Sequence, residues 1–169
     1  GTPEANEFGA FMPAVAAAKA KGGILAVHEY SAPTMQDGVG AGIPGLEATE
    51  RYGALTLRYR FWYQHFLEPN DLVIPLVVTE AGIDGGVLRG LDAPLLGWRD
   101  FQDSLPEEIP AQTWLDYANQ LTWYDDQLRS DPYVLGFAIF NAGDAGGEWA
   151  SFDITNKLGD LTDLVLSKR

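Results

Sequence analysis

Ile74-Pro-Leu-Val-Val-Thr-Glu80-Ala-Gly-Ile-Asp84-Gly-Gly86 is the stretch whose reading decides the fold. The apolar run Leu76 to Val78 is short, is preceded by Pro75 and is followed by a glycine-rich turn. A run of that length, bounded in that way, predicts a buried strand of a parallel sheet. It ends in a carboxylate, Glu80. In open α/β sheets and in barrels, the C-terminal edge of the strands is where chemistry is placed. Glu80 could equally cap the next loop or pair with an arginine, and the rest of the chain has to weigh the two.

Working outward, two more segments have the same build. Ile24 to Glu29 predicts a strand leading through His28 and Tyr30 into the long Gly/Pro-rich stretch Ser31 to Glu50. Tyr133 to Phe140 predicts a third, opening into Asn141 and a glycine-rich acidic loop that runs to Trp149, with a short extension over Phe152 to Ile154. Helices are expected between and around them: about Glu7 to Lys21 with Asn6 or Glu4 as cap, about Ala54 to Leu67, about Ala111 to Arg129, and about Leu158 to Leu166. The order α-β-α-β-α-β-α predicts one α/β domain spanning residues 1–169, with parallel β/α units and right-handed crossovers. The long loops all follow strand C-termini, as on the working face of a barrel. Three strands cannot close one, because an eight-stranded barrel takes roughly 250 residues. The expectation is therefore a small open sheet or a partial (half) TIM barrel.

Composition narrows the function classes. The 169 residues are 46% apolar and 21% charged, which suits a globular protein with a real core. The net charge of -13 disfavours nucleic acid and anionic membrane surfaces, since phosphate binding needs clustered Lys and Arg. Neutral or cationic ligands remain. Cysteine is absent, so no disulfide frame or thiolate metal site is expected, a composition that suits a secreted bacterial protein. His28 and His65 are too few and too far apart for a zinc site. Asp144, Glu148 and Asp153 read as a solvated acidic loop rather than a Ca²⁺ site, because their spacing fits no EF-hand. The run Gly38 to Gly45 is glycine-rich but interrupted by Pro44 and not held tightly between strand and helix, so no dinucleotide cofactor is expected. No cofactor of any kind is expected.

His28 and Tyr30 are two apart and share one face of their strand, with Glu29 on the other. Glu29 is expected to pair with Arg58 or Arg60. If the His28 face points into a barrel mouth, both side chains converge on Glu80, and a Tyr hydroxyl or His N–H there would hold the carboxylate ionised and oriented.

Three motifs carry a family resemblance: His28-Glu29-Tyr30 after a strand, Val78-Thr79-Glu80-Ala-Gly-Ile-Asp84 about fifty residues on, and Gly136-Phe-Ala-Ile-Phe140 with Trp149 beyond. In that order they resemble the C-terminal half, helix five to helix eight, of a bacterial clan-A-like glycoside hydrolase (β/α)8 barrel. The resemblance implies a retaining glycosidase acting on a poly- or oligosaccharide. It implies Glu80 as the nucleophile, with Tyr30 and His28 in support, and Trp149 or Phe140 as the floor of a sugar subsite; Asn141, delivered by the end of the third strand, is a further candidate for binding substrate. Trp98 could line a subsite too, or anchor its loop. The clan's acid/base lies in an Asn-Glu pair after strand four. Asn6-Glu7 spells that pair, but no strand precedes it, so the acid/base is expected upstream of this chain. The expected partners are a carbohydrate and either further copies of the chain or a missing N-terminal half-barrel. The alternative is a non-catalytic truncated half-barrel that binds carbohydrate or self-associates.

Overall fold

The structure, a computed structural model, describes residues 5–40, 42–43, 46, 49–88, 96–102 and 109–168. Three parallel strands form one sheet in the order β1 (Leu25–Ser31), β2 (Leu76–Ile83), β3 (Val134–Ile139). They alternate with helices α1 (Ala5–Lys19), α2 (Arg58–Trp62), α3 (Trp114–Arg129) and α4 (Leu158–Ser167). Parallel neighbours taken in sequence order, each joined by a right-handed crossover, place their crossover helices on one face of the sheet.

Burial follows that rule. Leu25, Val27, Glu29 and Ser31 of β1 and Leu76 and Val78 of β2 are buried, whereas Ala26 and His28 of β1 and Thr79 after Val78 are exposed and Val77 is half-buried. One face of the sheet is thus packed, and the other is not covered by any described residue to the same degree. The packed side is rich in aromatics. Tyr59, Tyr63, Tyr117, Tyr124 and Phe101 are fully buried, and Tyr63 stacks on Tyr133 with ring centroids 3.8 Å apart. Aromatic pairs at such separations add to what their buried area contributes.

The helix boundaries differ from expectation for local reasons. α1 starts at Ala5, which puts Asn6 inside the helix, and the other expected cap, Glu4, lies outside the described residues. α1 ends at Lys19, two residues earlier than the spacing suggests. Gly22 takes a left-handed φ of 68° there, and Gly23 N donates back to Ala18 O at 2.8 Å. α2 begins four residues later than expected and passes into a π-helical turn over Tyr63–Leu67. Its start is set by a neighbouring strand. The buried carboxylate of Glu29 accepts hydrogen bonds from Leu57 N at 2.8 Å, Tyr59 N at 3.2 Å and the Tyr124 hydroxyl at 2.7 Å. Glu29 therefore caps a helix rather than pairing with Arg58 or Arg60 as the sequence suggests, and Arg60 instead meets Asp131 at 2.6 Å. α3 starts at Trp114, where Thr113 and Asp116 close a reciprocal capping box.

A chain of buried amides ties the loop after β1 to α3. Met35 N donates to Gln120 Oε1, Gln120 Nε2 to Gln112 Oε1, and Gln112 Nε2 to Pro33 O, at 2.6 to 2.9 Å. These bonds satisfy buried polar groups that would otherwise oppose folding, and they hold the loop that leaves Tyr30.

Candidate active site

The site begins with an irregularity in β2. Its register pairs Val78 with Val27 but Glu80 with His28, so Thr79 is an extra residue opposite β1. The same segment is out of step with β3, where Val78 pairs with Phe137 and Ala81 with Ile139. Side chains alternate faces along a strand, so one inserted residue moves those that follow to the opposite face. Without the bulge, Glu80 would follow Val78 and face the helices. With it, Glu80 stands beside His28 and Tyr30 on the bare face. Thr79 Oγ1 closes the bulge by donating to Val27 O at 3.3 Å.

The three residues named from the sequence meet there. The Tyr30 hydroxyl donates to Glu80 Oε2 at 2.7 Å, and His28 Nδ1 lies 3.2 Å from the same oxygen. Burial, then the Glu80 hydrogen bond and charge, then the charge of Asp84 raise the Tyr30 hydroxyl well above its ordinary range. Tyr30 therefore stays protonated and remains a donor. Both groups meet Oε2, and Oε1 has no hydrogen-bond partner among the described residues. The Glu80 side chain is 36% exposed, so a ligand can reach it.

Phe140 carries the site towards the loop after β3. Its ring meets Tyr30 edge-on at 6.3 Å and Trp149 at 5.2 Å. Trp149 is 37% exposed at the end of this aromatic run, where an indole can serve as a stacking platform. Asn141 is pinned through its backbone, donating to Phe152 O at 3.4 Å and accepting from Ile154 N at 2.9 Å. Its Oδ1 is buried and has no hydrogen-bond partner among the described residues. Phe152 to Ile154 thus join the end of β3 by backbone bonds.

Trp98 departs from a subsite role. It is 2% exposed, stacks on Tyr117 at 5.5 Å and donates from Nε1 to Phe152 O at 3.2 Å. An indole enclosed in this way offers no face to a sugar. It fixes its own loop against the loop after β3. Asp144 accepts from Gly147 N and Trp149 N, and Asp153 from Gly143 N and Thr155 N, so both carboxylates brace the loop that presents Trp149. No group of three or more His, Asp or Glu side chains placed to hold a metal ion occurs among the described residues.

A pocket of about 460 Å³ opens beside Tyr30 and His28. Its other walls include Leu55 and Arg58, from just before and at the start of α2, and Asp84 and Val87, from the turn after β2. Sequence reasoning missed Arg58 and Asp84 as site residues. Arg58 reads as a helix cation, and only the cap that Glu29 gives α2 brings it to this edge. Asp84 was visible inside the glycine-rich turn, but nothing in the spacing separates it from a turn former.

Chemically, the arrangement is one carboxylate at a strand end, hydrogen-bonded by Tyr30 and flanked by the His28 imidazole, with an aromatic run on one side and a polar pocket on the other. Comparison with protein-family models, curated proteins and solved structures found no match.

Proposed function

We propose that this α/β unit is half of a (β/α)8 barrel and works as a retaining glycoside hydrolase on a poly- or oligosaccharide, with Glu80 as nucleophile. The observation that carries this reading is Glu80 Oε2, which accepts from the Tyr30 hydroxyl at 2.7 Å and lies 3.2 Å from His28 Nδ1. A carboxylate that must attack an anomeric carbon needs to be ionised, fixed and free at one oxygen. In the first step a bond forms between Glu80 Oε1 and the anomeric carbon as the bond to the leaving oxygen breaks. In the second, water attacks the same carbon and Glu80 leaves as the free carboxylate.

Retention needs a second carboxyl about 5–5.5 Å away as acid and base. We assign it to the part that covers the bare sheet face, either an N-terminal half-barrel or a second copy of the chain. The apolar residues left exposed along the sheet and its flanks support such a cover, among them Phe11 (52%), Ile24 (51%) and Leu135 (65%). The same exposure favours the second reading, a non-catalytic half-barrel that binds carbohydrate or self-associates.

The nucleophile can be tested without the acid. A 2,4-dinitrophenyl 2-deoxy-2-fluoroglycoside loses dinitrophenolate without protonation, and the fluorine slows release of the glycosyl–enzyme. Intact mass spectrometry after incubation with a panel of such glycosides should show one glycosyl adduct, mapped to Glu80 and absent in Glu80→Gln. If every reagent fails to label the chain, or labels Glu80→Gln equally, the assignment is wrong.

A further inference from the structure

We infer that Arg58 and Asp84 form a donor–acceptor pair that grips the hydroxyl groups of a neutral sugar unit beside Glu80 and discriminates against acidic sugars. The inference rests on the glycosidase reading of Glu80 and adds a substrate class to it.

Three observations carry it. First, Arg58 lines the pocket with bonding capacity to spare. Its Nη2 donates to His28 O at 2.9 Å and its guanidinium lies 5.2 Å from the Trp62 ring centroid, yet its Nε is buried with no hydrogen-bond partner among the described residues. It also makes no ion pair within 4.0 Å among the described residues, whereas Arg60 and Arg129 each hold an aspartate. The Glu29 carboxylate, which feels the Arg58 charge, is already occupied by Leu57, Tyr59 and Tyr124. Second, Asp84 lines the same pocket as a fixed acceptor. Its Oδ1 takes Gly86 N at 2.8 Å, which sets the carboxylate plane and leaves Oδ2 unclaimed among the described residues.

A sugar hydroxyl both donates and accepts. A ring that offers one oxygen to Arg58 and one hydroxyl hydrogen to Asp84 satisfies both walls, while Leu55 and Val87 cover its apolar C–H surface. Third, charge argues against an acidic ring. Asp84 sets a carboxylate in the pocket wall against the single permanent cation of Arg58, and Glu80 adds a second behind Tyr30 and His28, in a chain of net charge -13. A uronate would gain Arg58 but would face the Asp84 carboxylate in the same wall, and like-charge juxtaposition disfavours a ligand.

The test is a binding series on the whole chain, read by chemical-shift perturbation. Neutral trisaccharides (cello-, xylo- and manno-) are set against trigalacturonate at physiological salt. At least one neutral trisaccharide should bind, shifting the resonances of Leu55 and Val87, with trigalacturonate at least tenfold weaker. Asp84→Asn keeps the Gly86 bond through Oδ1 but replaces the acceptor with a donor. It should weaken the neutral sugar at least fivefold and narrow the gap to the uronate. Arg58→Lys keeps a charge but removes Nε, and should weaken the neutral sugar as well.

Equal or tighter binding of trigalacturonate, no binding of any neutral trisaccharide, or an unchanged preference in Asp84→Asn overturns the inference. The fluoroglycoside panel separates this failure from that of the hydrolase reading. Labelling of Glu80 by a uronic reagent and by no neutral one overturns only the Arg58–Asp84 assignment. No labelling by any reagent removes the nucleophile assignment itself.

Discussion

α3 and α4 flank one groove and stand in opposite conditions. α3 buries Tyr117, Ala118, Gln120, Leu121, Tyr124 and Leu128 and opens with a closed capping box. α4 has the more marked apolar stripe in its sequence, yet none of its residues is buried, and Leu158, Val165 and Leu166 are 44%, 48% and 54% exposed. It has no side-chain cap at its start. It is held chiefly through its last turn, where Lys168 Nζ donates to Thr122 O, Asp125 Oδ2 and Asp126 Oδ1 at 2.6 to 3.1 Å. Between the two helices and β3 lies a groove of about 350 Å³, lined by Leu121, Phe137 and Ile139 on one side and Leu161, Leu164 and Val165 on the other. An apolar stripe shows that a helix needs a neighbour; it does not show that the neighbour is present. α3 has its neighbours within the sheet, and α4 buries no residue among the described ones.

Core truncation should separate the two helices most. Leu121→Ala in α3, at a site 2% exposed, should cost about 2–5 kcal/mol in urea unfolding. Leu161→Ala in α4 should cost less than about 1 kcal/mol, because the half-open groove already admits solvent. Equal losses would break the comparison.

The buried anchor of α3 comes next. Burial raises the Glu29 carboxyl above its ordinary 4.5, against the lowering pull of bonds from Tyr124, Leu57 and Tyr59. A carboxyl raised by folding stabilises the native state fully below the unfolded pKa, and that contribution fades as pH climbs through the folded value. Tyr124→Phe removes a bond that favours the ionised form. It should cost about 1–2 kcal/mol at pH 7 and less at pH 4, as followed by denaturation midpoints across that range. A loss that grows on acidification would contradict this placement of Glu29.

Amide exchange should sharpen the contrast without mutation. The α4 amides should exchange at least tenfold faster than those at the centre of α3, since local opening is easiest where few buried contacts must break. Matching protection would mean that α4 is covered in solution.

The smallest effect belongs to the last turn of α4. Burial alone would raise the Asp125 carboxyl, but bonds from Arg129 and Lys168 outweigh it and hold it below its ordinary 3.8. Stability from a lowered carboxyl is present above the unfolded pKa and is lost as pH falls through the folded one. Lys168→Met should therefore cost about 0.5 kcal/mol at pH 7 and nothing measurable at pH 2, read as the exchange rate of α4.

Much of the fold was legible in the residues. The apolar runs at Leu25, Leu76 and Val134 each became a strand, and the alternation with helical spacing predicted a parallel α/β sheet, because periodicity and length are properties of the local chain. Gly22 marked a helix end for the same reason, whereas the start of α3, expected at Ala111, is set at Trp114 by the Thr113–Asp116 capping box. The residues His28, Tyr30 and Glu80 could be named as strand-end groups, and His28 and Tyr30 could be put on one face by counting.

What the chain order could not supply was the face of Glu80. By alternation from Val78 it belongs on the helix side. A single inserted residue, Thr79, turns it to the bare face, and only pairing with β1 and β3 reveals the insertion. Long-range contacts likewise made Glu29 a cap for α2 and enclosed Trp98, because a side chain's partner depends on which strand or loop lies opposite. Sequence by itself determined the elements, their order and the residue types delivered to the strand ends. Tertiary structure decided which of those residues share a face, since register across neighbouring strands is a property of the sheet and not of any one segment.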